Sequence, residues 1–439
     1  MAGAPPPAGG LRASLTRAAA RLTTPFGYLS VLSGLEVLLL WVLRERYGTW
    51  LALVATLGLV ALLVLVVATR QRWGLKLAGI SLLGALTAIG PTLIGVVQRP
   101  RIGLTMEHDG LLQLESAVDR LLHGQPIYGV DWSNTPMAAA GWSLTPGTNP
   151  ALHHLAYYPL TVLVGIPFRL LSGALGLPFD YRMVLIAFAV LGLIAIGALP
   201  ISRERRFLVV TAIYASPMIT LYLWSGRTDI EFLAVVLLSL TLLARGHPTW
   251  SAAILGMAVA LKPFAWVAVP FFLLVLVVRW RAAHSHREVV ASLAALAVVP
   301  AVTILPFFLA NPSAFWTDTV LYTSGGIPDA YPIAGYGFGA ILYAVHVITH
   351  NTDRFPFTIF QFAVAIPVFW LTARAFIRRP TIASWMAGYA ALLLAVTFFA
   401  RFFNDNYAAV VITLLLCVLP LRDLSLAPAP AASVQRLAA

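Results

Sequence analysis

The chain has 439 residues, 60% of them hydrophobic and 10% charged, with a mean hydropathy of +0.86. A soluble domain carries about a quarter charged residues, so an ordinary soluble protein is excluded and an all-α polytopic membrane protein is predicted. The formal charge of +12 does not mark a nucleic-acid binder, because the basic residues are scattered over short loops between apolar runs. The single cysteine, Cys417, excludes an internal disulfide and a cysteine metal site.

Residues 1–24 read as a disordered basic tail, held in the cytoplasm by Arg12, Arg17 and Arg21 under the positive-inside rule. No cleavable leader is evident, so the first apolar run is expected to stay as an anchor. The rest, 25–422, reads as one transmembrane domain, followed by an Ala/Pro-rich tail at 423–439. Tyr28–Leu43, Trp50–Thr69 and Lys76–Val97 are the first three expected crossings. They place the next segment, 98–181, outside.

That first external loop opens on Met106-Glu107-His108-Asp109-Gly110, two carboxylates and an imidazole at the edge of the hydrocarbon. A charge there is costly unless paired or wet, which makes the cluster a functional candidate; a solvated loop start or a helix cap is the structural alternative. Apolar Leu111, Leu112, Leu114, Val118, Leu121 and Leu122 follow at helical spacing and predict an amphipathic helix lying on the membrane. Tyr158–Leu177 is expected to be interfacial, since that choice returns Arg203-Glu204-Arg205-Arg206 to the cytoplasm.

Further crossings are expected at Met183–Pro200, Phe207–Trp224 and Ile230–Ala244, with Ser225 to Asp229 as an external turn. Trp250–Val278 is interrupted by Lys262-Pro263 and predicts a broken hairpin with a lysine at its outer tip. After Val289–Leu309 comes a second external loop, 310–356, in which Phe338–Ile348 is interfacial. Phe357–Phe376, Ile382–Ala400 and Tyr407–Leu421 complete about 12 crossings, with both ends cytoplasmic and Arg401 to Asn406 as an external turn. No heptad, fixed-period or inverted repeat is visible.

With this topology Glu107, Asp109, Arg227, Asp229, Lys262, Arg401 and Asp405 all fall on the outer side, as one polar cavity would require. Acid and base together suit a substrate with an anionic part, its phosphate held by Lys and Arg beside a carboxylate that handles a proton. No Walker loop, dinucleotide fingerprint, zinc-protease helix or nucleophile elbow is present. Neighbouring His153 and His154 point apart on any regular backbone, which disfavours a paired metal site.

The order of an external Asp109 opening a loop helix, then Gln113, Ala117, the run Leu121 to Tyr128, and Tyr157-Tyr158-Pro159-Leu160 resembles the first external loop of GT-C glycosyltransferases. Thr228-Asp229, Leu243 to Gly246, Gly256 to Lys262 and Asn404-Asp405-Asn406-Tyr407 extend the resemblance to the polyprenyl-phosphate-mannose-using branch, glycosyltransferase family 87. The loop follows the third span rather than the first, which suggests two added N-terminal helices, and Leu160 stands where many relatives have a second proline.

The resemblance implies a GT-C-like bundle in a bacterial plasma membrane. The reaction it implies is inverting transfer of a sugar, mannose first, from a polyprenyl-phosphate donor to a lipid or glycan hydroxyl on the extracytoplasmic face, with no cofactor and at most weak metal dependence. Asp109 is then the expected general base, with Glu107 its competitor, and Lys262, Arg227 and Arg401 the expected phosphate ligands. His108, His153, His154, Tyr158, Asp229, Asn404, Asp405 and Tyr407 are the further substrate-binding candidates. An arabinofuranosyl- or glucosyltransferase, a transporter or lipid flippase, and a noncatalytic assembly subunit are the competing readings. The polar mass gathered in two external loops favours an enzyme over a transporter.

Overall fold

The protein is described from a computed structural model over residues 21–103, 108–139, 144 and 149–426. Most of the expected N-terminal tail, the chain beyond 426 and Glu107 lie outside the described residues. The architecture is the expected all-α polytopic membrane fold. Its first helices are α1 (Pro25–Val42), α2 (Thr49–Ala68) and α3 (Trp73–Arg101), and then come α4 (Asp109–Leu122), α5 (Pro159–Ala174) and α6 (Arg182–Ala198). α7 (Arg203–Tyr214), α8 (Pro217–Ser225), α9 (Asp229–Ala244), α10 (Pro248–Leu261), α11 (Pro263–Ala283, with a 3₁₀ start) and α12 (His286–Ala310) follow. The series closes with α13 (Phe357–Arg378), α14 (Ile382–Phe398) and α15 (Asp405–Val418). Six of these, α1, α2, α3, α11, α12 and α13, are long and apolar enough to cross a membrane, and α7 with α8 makes a bent seventh. The expected figure of about 12 also counted shorter apolar helices such as α6, α10, α14 and α15.

Burial sorts these helices. α9 is apolar all round and sealed from Asp229 to Leu237, so it is the core, whereas α12 is equally apolar yet only Ser292 is buried. An apolar helix that protein does not cover must face lipid.

The expected crossing Phe207–Trp224 is broken, its halves bent by 44°. Pro217 has no N–H and holds Ser216 extended, at φ −151° and ψ 137°. Freed carbonyls in a membrane need donors. Thr87 Oγ1 reaches Tyr214 O at 3.1 Å and Ser33 Oγ reaches Ala215 O at 3.0 Å, from α3 and α1.

A second break lies at Lys262-Pro263. Lys262 is extended (φ −149°, ψ 138°), and Thr161 Oγ1 satisfies the last carbonyl of α10, Leu261 O, at 2.8 Å. Pro263 then opens a 3₁₀ turn, and the arm that follows, Pro263–Ala283, is 21 residues, long enough to cross a membrane by itself.

α4 also departs from expectation. Its apolar face, Leu111, Leu112, Leu114, Ala117 and Val118, is buried in protein and does not lie on lipid. Ion pairs hold it there. Arg99 at the end of α3 grips Glu115 through both nitrogens (2.7 and 2.6 Å) and Asp180 at 3.0 Å, and Asp180 pairs with the buried Arg182 at 2.6 Å. Two cations and two carboxylates thus neutralise one another where water is scarce.

Between the helices, β1 (Ala334–Gly335) pairs in parallel with β2 (Phe402–Phe403), an element that the sequence did not suggest. Gly335 has φ +82°, and a Cβ there would lie 2.1 Å from Phe403 O. Only glycine fits.

Candidate functional site

α4, α8, α9, α10, α13, α14 and α15 converge on a cavity of about 820 Å³. Its base is set by the N-terminus of α4. His108 is extended, donates its backbone N–H to Ser225 O at 3.0 Å, and caps the helix by accepting Gly110 N–H on Nδ1 at 3.1 Å. The same amide lies 2.8 Å from Asp109 Oδ1, and His108 Nδ1 is 3.1 Å from that oxygen. Gly110 leaves room for Tyr157, whose hydroxyl would lie 1.9 Å from any Cβ at this position. Burial, with Arg227 and Lys262, pushes the His108 imidazole pKa down against the opposing pull of Asp109 and Asp229.

The cation wall is a continuous network. Lys262 Nζ donates to Asp229 Oδ1 at 2.5 Å, and Asn406 Nδ2 holds the other oxygen at 2.8 Å. Asn406 Oδ1 accepts from Arg227 at 3.2 Å, and Arg227 pairs with Asp405 at 2.7 Å. Asp229 and Asn406 are buried. Lys262 keeps two further donors after its bond to Asp229. Arg227 Nε is buried without a hydrogen-bond partner among the described residues. Two neighbouring cations in one cavity wall, Lys262 with donors to spare, suit an anionic ligand.

Of the other expected residues, His154, Tyr158, Asn404, Tyr407 and Arg401 line the same cavity. Tyr407 packs edge-on against Phe264, 4.6 Å between ring centres. Arg401 is buried and turned to the second external loop, donating to the carbonyls of Tyr331, Asp353 (2.7 Å) and Asn351 (3.3 Å). His154 is also committed: Nδ1 meets Asp318 and Nε2 meets Asp329, each at 2.9 Å. Both nitrogens facing carboxylates make it an imidazolium, and although burial lowers its pKa, the two carboxylates raise it further. His153 and Asp405 are not in the cavity wall; His153 lies 3.5 Å from Asp131, both side chains exposed. Among the described residues no group of three or more His, Cys, Asp or Glu is placed to hold a metal ion.

Sequence reasoning missed Asn406, Tyr157, Asp318 and Tyr331. Asn406 was visible within Asn404-Asp405-Asn406, but a neutral amide carries no charge signal, and its partner Asp229 is 177 positions away. Tyr157 had a signal in the glycine at 110, which only the fold explains.

Fold and site define a class: a polytopic helical membrane protein whose cavity sets a carboxylate beside cations. The chain belongs to glycosyltransferase family 87, whose sequence model matches residues 155–421, well over half of it. The match begins beyond α4, so Asp109 and His108 lie outside it. No curated protein matches the chain. Among solved structures it is similar to ArnT from Cupriavidus metallidurans bound to undecaprenyl phosphate, at 18% identity and a TM-score of 0.46 over 79% of this chain and 61% of that one. The same protein in the apo state gives 18% identity and 0.44, over 82% and 62%. The chain therefore spans less than two thirds of the ArnT length.

Proposed function

We propose that this protein transfers a sugar, mannose in the reading favoured by its sequence resemblance, from a polyprenyl-phosphate donor to a hydroxyl of a lipid or glycan acceptor. The site would open on the extracytoplasmic face of a bacterial plasma membrane, with both termini cytoplasmic. The observation that carries this reading is the meeting of Asp109, Lys262 and Arg227 in one cavity, with Lys262 Nζ keeping donors beyond its bond to Asp229. Membership of a glycosyltransferase family supports it.

The donor phosphate is placed against Lys262 Nζ, with the Arg227 guanidinium beside it in the cavity wall. As the bond from the anomeric carbon to the phosphate oxygen breaks, these preplaced cations stabilise the departing charge, so no acid is needed on the leaving side. Asp109 accepts the acceptor's hydroxyl proton while that oxygen attacks the opposite face of the sugar, which inverts the centre. Asp229 and Asn406 orient Lys262, Asp405 orients Arg227, and Tyr158, Asn404 and Tyr407 form the wall for the sugar. Arg401 and His154 we assign to holding the external loops closed, since their donors are already committed.

The test is transfer by protein purified into nanodiscs, given radiolabelled polyprenyl-phosphate mannose and a crude acceptor-lipid extract, with Asp109→Asn beside wild type. Product from wild type and none from the folded variant is expected. Equal product from both would remove Asp109 and turn attention to Glu107, and no product from wild type would overturn the donor assignment.

A further inference from the structure

We propose that His108 is the proton relay of this site, carrying to water the proton that Asp109 takes from the acceptor. The proposal rests on the transferase reading above and adds to it the route by which the base is regenerated.

The geometry sets two acceptors on one hydrogen. His108 Nδ1 and Asp109 Oδ1 stand 3.1 Å apart, within hydrogen-bond distance. In the resting pair, carboxylate and neutral ring, both accept from Gly110 N–H, at 3.1 and 2.8 Å. Once Asp109 is protonated, its O–H faces the Nδ1 lone pair. The pair is therefore built to pass a proton along the line from Oδ1 to Nδ1.

Direction follows from exposure and charge. The Asp109 side chain is 17% exposed and that of His108 33%, and both line the cavity, so the imidazole is the member more open to water there. The charged groups that face it are Asp109 on α4, Arg227 and Asp229 at the turn into α9, and Lys262 at the end of α10. Burial first, and then the two cations, disfavour a proton on the resting ring, against the pull of the two carboxylates; Nδ1, accepting from Gly110 N–H, is the atom that can receive one. In the transfer step the acceptor O–H breaks and its proton goes to Asp109, the oxygen bonds the anomeric carbon, and the electron pair of the broken bond leaves with the phosphate. The Asp109 carboxyl proton then passes to His108 Nδ1, and the imidazolium returns one proton to water, restoring carboxylate and neutral ring. Without this route the proton would remain on the Asp109 carboxyl, the less exposed member of the pair.

His108→Asn is the informative variant, because asparagine caps a helix as well as any residue and still accepts Gly110 N–H, but does not titrate. The expected result is a kcat lower by roughly 10- to 100-fold at unchanged KM for donor and acceptor, partly restored by added imidazole. A kcat and pH profile equal to wild type would overturn the relay and leave the departing phosphate as the proton's destination. A second measurement needs no substrate. In nanodiscs with ¹⁵N-labelled histidine, the His108 resonance, assigned by its loss in His108→Asn, is expected to titrate at lower pH in Asp109→Asn, since the carboxylate that favours its protonation is gone. An unchanged titration would overturn the shared proton. An inactive wild type with a shifted titration would uphold the pair and overturn the transferase reading, so the two failures are distinguishable.

Discussion

Lys262 shows how one residue serves both structure and chemistry. Its partner Asp229 is sealed in α9, and a buried carboxylate that loses its cation is destabilising by about 3–5 kcal/mol. Lys262→Met is therefore expected to lower the melting temperature as well as transfer. Adding Asp229→Asn removes the orphaned charge, so the double variant should regain most of the melting temperature while kcat/KM stays down by about 10²- to 10³-fold, the loss typical of one preorganised donor. Melting curves and transfer rates of the single and double variants check this, and recovery of activity in the double variant would take Lys262 out of the chemistry. Lys262 was legible in the sequence because a lysine beside a proline in an apolar run is conspicuous. Asn406, which ties Asp229 and Arg227 together, was not, because an amide's role depends entirely on what the fold brings to its two ends.

At the scale of elements, α4 carries the proposed base and is held at its middle by Arg99. Its placement depends on charges contributed by α3 and by the turn before α6. Arg99→Ala would leave Glu115 and Asp180 facing each other in a desolvated pocket, where burial already pushes the Glu115 pKa up. The expected outcome is a loss of about 3–5 kcal/mol of stability, read as a lower melting temperature in detergent, with transfer falling in parallel. Arg99→Lys should recover little, because an ammonium cannot reproduce the two-pronged grip on Glu115. The loops 98–181 and 310–356 are joined by a different device, the Asp318–His154–Asp329 bridge. Its pKa is raised above the ordinary value of about 6.5 by the two carboxylates. A group whose folded pKa is raised stabilises the fold fully below its unfolded pKa and loses that contribution as pH rises through the folded value. Wild-type melting temperature should therefore fall on passing from mildly acidic to alkaline pH, with a component missing in His154→Gln. Parallel pH profiles for the two proteins would rule the bridge out as the source.

For the whole molecule, orientation is what turns a cavity into an enzyme with access to one set of substrates. The positive-inside reading places Ser133 outside and His247 inside, and both are exposed residues in loops. In a Cys417→Ala background, whose native thiol is buried in α15, Ser133→Cys should react with a membrane-impermeant maleimide added to intact cells, and His247→Cys should react only after lysis. The reverse pattern would invert the topology and place the cavity in the cytoplasm. Lipid-facing α12 and α13 and core α9 have similar composition, so their assignments follow from packing, not from hydropathy.

Hydropathy and charge are local, additive properties of a chain, and what they control was decided by the sequence alone: membrane class, the course of most apolar helices, the helix opening at Asp109, and the family that its motifs resemble. Tertiary structure decided what depends on partners distant in sequence. The crossing at Ser216 could break because serine and threonine from α1 and α3 satisfy its carbonyls. The amphipathic face of α4 found protein where the pattern suggested lipid, since an apolar stripe does not specify which apolar medium covers it. Arg401 turned to loop carbonyls and Arg227 to the side chains of Asp405 and Asn406, a difference between two arginines that only the placement of their neighbours determines.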